Sequence, residues 1–164
     1  DVVVFFDDDF LPAPGWLAAA EAALLADPAI VVLTGTVLAD GAGGPGLDAA
    51  AGRALLAADR ATADRVTAVY NAYGCNMALR LDVMRAHALR FDEALPLYGW
   101  QEDVDISRAL ARHGRVVRIA AARGVHLGTK LGRSSGLRVG YSQMVNPAYL
   151  ARRGRCSWPR ALVG

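Results

Sequence analysis

The sequence predicts an α/β fold on three observations. Short runs of β-branched and aromatic residues alternate with segments of helical periodicity. The 164 residues, 54% of them hydrophobic, are enough for one domain with a sizeable core. No apolar stretch reaches the ~18 uncharged residues of a membrane span, because Glu21, Asp27 and several arginines interrupt each candidate.

Val2-Val3-Val4-Phe5-Phe6 is β-branched and aromatic, too short for a helix, and reads as a buried strand. Asp7-Asp8-Asp9 follows, then a turn at Pro12, Pro14 and Gly15. Trp16 to Ala26 reads as a helix with Leu17, Ala20 and Leu24 on one face, ended by Asp27-Pro28. Ile30 to Leu33 is the next strand, and Asp40 to Gly46, with four glycines and Pro45, a flexible loop. Leu47 to Asp59 is an alanine-rich helix, and Val66 to Tyr70 and Met77 to Leu81 are strands flanking the turn Tyr73-Gly74-Cys75-Asn76. Glu102 to His113 is a helix with Ile106 and Leu110 inward, acids in its first turn, bases in its last, and Gly114 closing it. Val116 to Ala120 is a strand, Gly124-Val125-His126 leaves the sheet, Leu127 to Gly140 is a mobile loop, and Val145 to Arg153 a last short helix.

Net charge is only +2, yet all 16 acids lie at or before Asp105, where 6 bases accompany them, and 12 bases and no acid follow. The two segments thus carry −10 and +12. This suits mutual attraction within one fold, or a basic surface for a phosphate-bearing ligand or an anionic membrane. The bases are not interleaved with stacking aromatics, so nucleic acid is not an expected partner. Cys75 and Cys156 stand far apart without metal spacing and are expected as free thiols in a reducing, cytoplasmic compartment.

Several constellations carry chemistry. Three carboxylates after a strand repel one another unless a cation joins them, and a hard divalent metal is the natural candidate. In extended backbone Asp7 and Asp9 point the same way and Asp8 the other; a solvated acidic turn is the alternative. Glu102-Asp103-Val104-Asp105 at a helix start suits the helix dipole, but one acid suffices for that. A carboxylate near the wall of Trp100 would have its pKa raised toward that of a working base. His126, at a strand end, would move the preference of an aspartate site from magnesium toward manganese. Asn76 either bonds a sugar hydroxyl or caps its own turn.

These pieces resemble family 2 glycosyltransferases. Phe5 to Leu17, Phe-Phe-Asp-Asp-Asp-Phe-Leu-Pro-Ala-Pro-Gly-Trp-Leu, resembles the family's metal-binding acidic motif and the helix after it. Gly74-Cys75-Asn76-Met77-Ala78-Leu79-Arg80, Phe91-Asp92-Glu93, Gly99-Trp100-Gln101-Glu102-Asp103-Val104-Asp105, Val125-His126 and Asn146-Pro147-Ala148-Tyr149 follow in the family's order and approximate spacing. The likeness covers Asp1 to about Arg153.

The resemblance implies a GT-A (nucleotide-diphospho-sugar transferase, Rossmann-like) fold with a mixed sheet flanked by helices. The family's nucleotide-binding strands precede the acidic motif, so residues 1–164 are expected to be the C-terminal, metal- and acceptor-binding part of one GT-A domain. The implied activity moves a sugar, with inversion, from a nucleoside-diphosphate sugar to a hydroxyl of a glycan or lipid-linked acceptor. The family's Gln-x-x-Arg-Trp motif of processive synthases is missing, which favours single additions. Asp7, Asp9 and His126 would hold Mn2+ or Mg2+, Asp7, Asp8 and Arg133 would meet the donor, and Asp103 would be the general base. Asn76, Trp100 and Glu102 would meet the acceptor. Arg152, Arg153, Arg155 and Trp158 would allow peripheral contact with the inner face of a membrane. A non-catalytic metal or nucleotide-sugar binding module, and a nucleotidyltransferase on a related sheet, are the alternatives.

Overall fold

The computed structural model describes residues 1–60, 65–95, 97, 99–130 and 136–163. Its elements run β1 (Val2–Phe6), β2 (Phe10–Pro12), α1 (Trp16–Ala26), β3 (Ile30–Asp40), α2 (Ala49–Ala58), β4 (Val66–Ala68), β5 (Asn76–Arg80), α3 (Leu81–Ala86), α4 (Glu102–Leu110), β6 (Arg115–His126), α5 (Gly136–Arg152) and α6 (Trp158–Val163). The protein is mixed α/β. One mixed sheet runs in the order β1-β5-β3-β6-β2, and β4 also pairs with β6. β3 and β6 are parallel, while β1–β5, β3–β5, β2–β6 and β4–β6 are antiparallel.

Each face of the sheet buries a separate apolar set. Trp16, Ala20 and Leu24, four residues apart along α1, pack with Leu33, Val117 and Ile119. Ile106 and Leu110 of α4 pack with Val32, Leu79, Met84 and Val116 on the other side. Leu17, expected on the inward face of α1, is exposed; Trp16 takes that role.

β1 is an edge strand rather than a buried one, so Val2, Phe5 and Phe6 are exposed. β3 continues well past Leu33 because Gly35 is a close approach and not a break. A Cβ there would lie 2.5–2.6 Å from Ala122 O, Trp16 Nε1 and Asn76 Oδ1. β6 likewise carries Gly124, Val125 and His126 within the sheet, where they pair with Pro12, Leu11 and Phe10. Gly124 is required there because the Phe10 ring lies over it. Residues 136–140, expected in a loop, begin α5, which continues through Pro147.

Part of the lopsided charge is paired across the fold. Arg115 pairs with Asp27, Arg123 with Asp59, Arg153 with Asp92 and Arg155 with Asp105, each joining the basic segment to the acidic one. Arg152, Arg153 and Trp158 are exposed, while Arg155 is half-buried on Asp105. No helix among the described residues is long and apolar enough to cross a membrane.

Asp105 is fully buried, 2.9 Å from the Arg155 guanidinium, and so ties α4 to the segment between α5 and α6. Arg155→Met would strand that carboxylate. A loss of about 3–5 kcal/mol is expected, the cost of an uncompensated buried charge, and urea unfolding measures it. A loss below about 1 kcal/mol, the scale of a surface pair, would show that the pair does not hold this corner.

Candidate active site

Asp7 to Phe10 form a tight turn between β1 and β2, closed by the Phe10 N–H donating to Asp7 O at 3.0 Å. Asp7 and Asp9 therefore converge through a turn and not through strand alternation. Asp8 is exposed and outside the cluster. His126 ends β6 between two strands that each deliver an aspartate: Phe10 of β2, directly after Asp9, is its partner on one side, and Asp40 of β3 on the other.

His126 Nε2 lies 3.2 Å from Asp9 Oδ1, and Nδ1 lies 2.9 Å from Asp40 Oδ1. The second Asp9 oxygen accepts the Thr129 N–H at 2.7 Å, and its main-chain carbonyl accepts the Leu127 N–H at 2.9 Å. One ligand atom from each of Asp7, Asp9 and His126 falls within 4.8 Å of the others. Ligands around an ion at about 2.1–2.2 Å lie about 3 Å apart when adjacent and about 4.3 Å apart when opposite. The three residues fit a small divalent cation with slight contraction, and two carboxylates plus one imidazole suit Mn2+ or Mg2+. Burial pushes the Asp7 carboxyl above its ordinary value; the His126 charge opposes this and the Asp9 and Asp8 charges add to it. A cation would relieve that repulsion.

A second acidic group stands at the start of α4. Gly99 and Gln101, both at positive φ, turn the chain into the helix and aim Glu102 and Asp103 toward the loop before β5. Asp103 Oδ2 accepts the Gly74 N–H at 3.0 Å, and Oδ1 accepts the Val104 N–H at 2.7 Å. Burial raises the Asp103 pKa, these two bonds pull it back, and the charge of Asp7 adds to the rise. Glu102 is pushed up to about 7, first by burial of its carboxyl and then by the Asp103 charge. Glu102 as a whole keeps solvent access, so its crowding is local to the carboxyl head. The Asp7 charge reaches both acids, which places them and the Asp7–Asp9–His126 cluster in one electrostatic neighbourhood.

The Glu102 shift has a testable consequence. A raised carboxyl pKa contributes stability that is present below the ordinary value of 4.5 and is lost as pH rises through about 7. Glu102→Gln is therefore expected to melt higher than the wild type at pH 8, with the gap closing toward pH 4.5; solvent screening keeps it small. A gap independent of pH would rule out the Glu102 charge as its cause.

The turn Tyr73-Gly74-Cys75-Asn76 joins the two groups. The Tyr73 hydroxyl donates to Asp40 Oδ2 at 2.8 Å, Gly74 bonds Asp103, and Cys75 O accepts the Asp7 N–H at 3.2 Å. The Cys75 thiol, pushed up to about 12 mainly by burial, is inert. Asn76 does not face an acceptor. It is fully buried, its Oδ1 accepts the Gly35 N–H at 2.7 Å and its amide donates to Cys75 Sγ, so it fastens β5 to β3. Trp100 is half-buried beside the acidic pair in sequence, and its carbonyl accepts from Asn146 Nδ2 at 2.9 Å. Arg133 lies outside the described residues.

Two residues of the site were missed in the sequence, Asp40 and Tyr73. Burial pushes the Asp40 carboxyl up, but hydrogen bonds from Ala42, Tyr73 and His126 outweigh it and hold the carboxyl below its ordinary value. The signal for Asp40 was present: like Asp7, it is an aspartate directly after a β-rich run. A groove of about 270 Å³ beside Tyr73 is lined by Thr34, Thr36, Val69, Asn71 and Arg118 among others. No family model matches the chain, and neither the curated proteins nor the solved structures contain a match to it.

Proposed function

We propose that this chain carries the catalytic groups of an inverting, metal-dependent glycosyltransferase of the GT-A fold, related to family 2. The reaction moves a sugar from a nucleoside-diphosphate sugar to a hydroxyl of a glycan or lipid-linked acceptor. One observation carries the reading: Asp7, Asp9 and His126 converge at one end of the sheet, and the turn 73–76 couples them to an acidic pair with raised pKa values.

Asp7, Asp9 and His126 would hold a divalent cation, Mn2+ or Mg2+, which would supply positive charge against that growing on a departing diphosphate. Asp103 takes the proton of the attacking hydroxyl. Its two backbone hydrogen bonds favour the ionised form and fix its direction. Glu102, with a pKa of about 7, is largely protonated at slightly acid pH and donates a hydrogen bond to the acceptor, so the neighbours divide the acid and base roles. Trp100 offers a flat apolar wall to a sugar ring, and Asp8 a solvent-facing carboxylate to the donor.

Calorimetric titration with Mn2+ and a panel of nucleoside-diphosphate sugars, followed by assay of the released nucleotide, tests the reading. Release of free nucleoside diphosphate with a glycosylated product supports it. Pyrophosphate release would indicate a nucleotidyltransferase, and binding without turnover a non-catalytic module.

A further inference from the structure

We propose that Asp40 and Tyr73 are positioning residues, which hold His126 as the tautomer protonated at Nδ1 and so leave Nε2 as the lone-pair nitrogen facing Asp7 and Asp9. This rests on Asp7, Asp9 and His126 being cation ligands. A ligating imidazole is set by what its other nitrogen meets, and a carboxylate there fixes both ring orientation and tautomer. Three contacts place such a carboxylate. Asp40 and His126 are register partners across the parallel β3–β6 pair, which brings Asp40 Oδ1 to 2.9 Å from Nδ1. That separation is shorter than the 3.2 Å between Nε2 and Asp9, and the Tyr73 hydroxyl, 3.3 Å from Nδ1, has its proton engaged at 2.8 Å by Asp40, so the contacts favour the ring proton on the Asp40 side. The other Asp40 oxygen accepts the Tyr73 hydroxyl at 2.8 Å, and Ala42 N–H donates to Oδ1 at 2.8 Å, so the carboxylate cannot swing away. The Tyr73 ring also meets the imidazole edge-on, with ring centroids 5.7 Å apart and planes at 90°.

The strand ends are themselves clamped. Gly41, next to Asp40, and Gly128, two residues after His126, approach so closely that a Cβ on Gly128 would lie 2.2 Å from Gly41 C. Gly128 also has φ +65°, which glycine alone adopts freely. The spacing of the Asp40 and His126 backbones is therefore fixed by the sheet.

The test uses Asp40→Ala, Asp40→Asn and Tyr73→Phe, with melting temperature as a check on folding. In the metal-free wild type at pH 8.5, ¹⁵N shifts of His126 are expected to show a protonated Nδ1 and a lone pair on Nε2. Asp40→Ala should move that balance toward the other tautomer and weaken Mn2+ binding about 10–100-fold by calorimetry. Asp40→Asn keeps an acceptor for Nδ1–H and should restore the tautomer and most of the affinity, with Tyr73→Phe falling between wild type and Asp40→Ala. Unchanged nitrogen shifts, or Mn2+ affinity within twofold of wild type in both Asp40→Ala and Tyr73→Phe, would overturn the assignment. If Asp40→Ala does not fold, the comparison of Asp40→Asn and Tyr73→Phe decides it. A wild type that binds no Mn2+ would refute the metal site, while the metal-free nitrogen shifts would still judge the roles of Asp40 and Tyr73.

Discussion

Asp103→Asn is expected to lower turnover by about 10²–10⁴-fold, the range that general acid–base catalysis supplies, with donor and Mn2+ affinity nearly unchanged. The asparagine keeps the side chain's shape but its single amide oxygen can receive only one of the Gly74 and Val104 N–H groups, so the melting temperature is measured beside turnover to separate lost basicity from a loosened loop. Glu102→Gln is the comparison that gives the result meaning. An amide at 102 can still donate a hydrogen bond, so its effect should be much smaller and should fall on the acceptor KM. If Asp103→Asn transfers sugar at near wild-type rate while Glu102→Gln does not, the two roles are reversed. The exposed edge and pKa of about 7 at Glu102 would then be those of the base.

Asp9→Ala should weaken Mn2+ binding by more than the 10–100-fold that outer-shell residues control, and remove donor binding with it. Asp9 meets His126 through one carboxylate oxygen and the Thr129 N–H through the other, so its removal frees an imidazole and a loop at once. Asp9→Asn separates these effects, since the amide oxygen can still receive the Thr129 N–H while the charge is gone. Asp8→Ala, outside the cluster, should leave the metal titration in place. An unchanged titration in Asp9→Ala and Asp9→Asn would remove the metal site from consideration.

The helices and strand cores were readable where one physical signal dominated. α1 begins and ends where its periodicity and Asp27-Pro28 place it, and Ile106 and Leu110 face inward as their spacing requires. The strands failed at glycines. The expected strands end at Leu33 and Ala120, short of Gly35 and Gly124, yet each glycine is where another chain segment or ring presses on the sheet, information held by the partner and not by the local sequence. β2, α3 and α6 are too short to carry a period. At the site, the sequence named Asp7, Asp9 and His126, which the fold brings together. The placement of Asn76 failed because a buried amide and an exposed one look alike in sequence. Asp40 was passed over because the glycines after it suggested a loose loop, whereas Gly41 and Gly128 are tight contacts.

The turn 73–76 has a mechanical consequence. Three consecutive residues make its contacts: Tyr73 meets Asp40 and Cys75 meets Asp7, while Gly74, between them, meets Asp103. That span acts as a ruler, and heating cannot lengthen it while β5 stays paired to β1 and β3. Activity should then persist to the melting transition and vanish with it, instead of fading as the helices loosen. An inserted residue in this turn would disable both halves at once, even in a chain that folds.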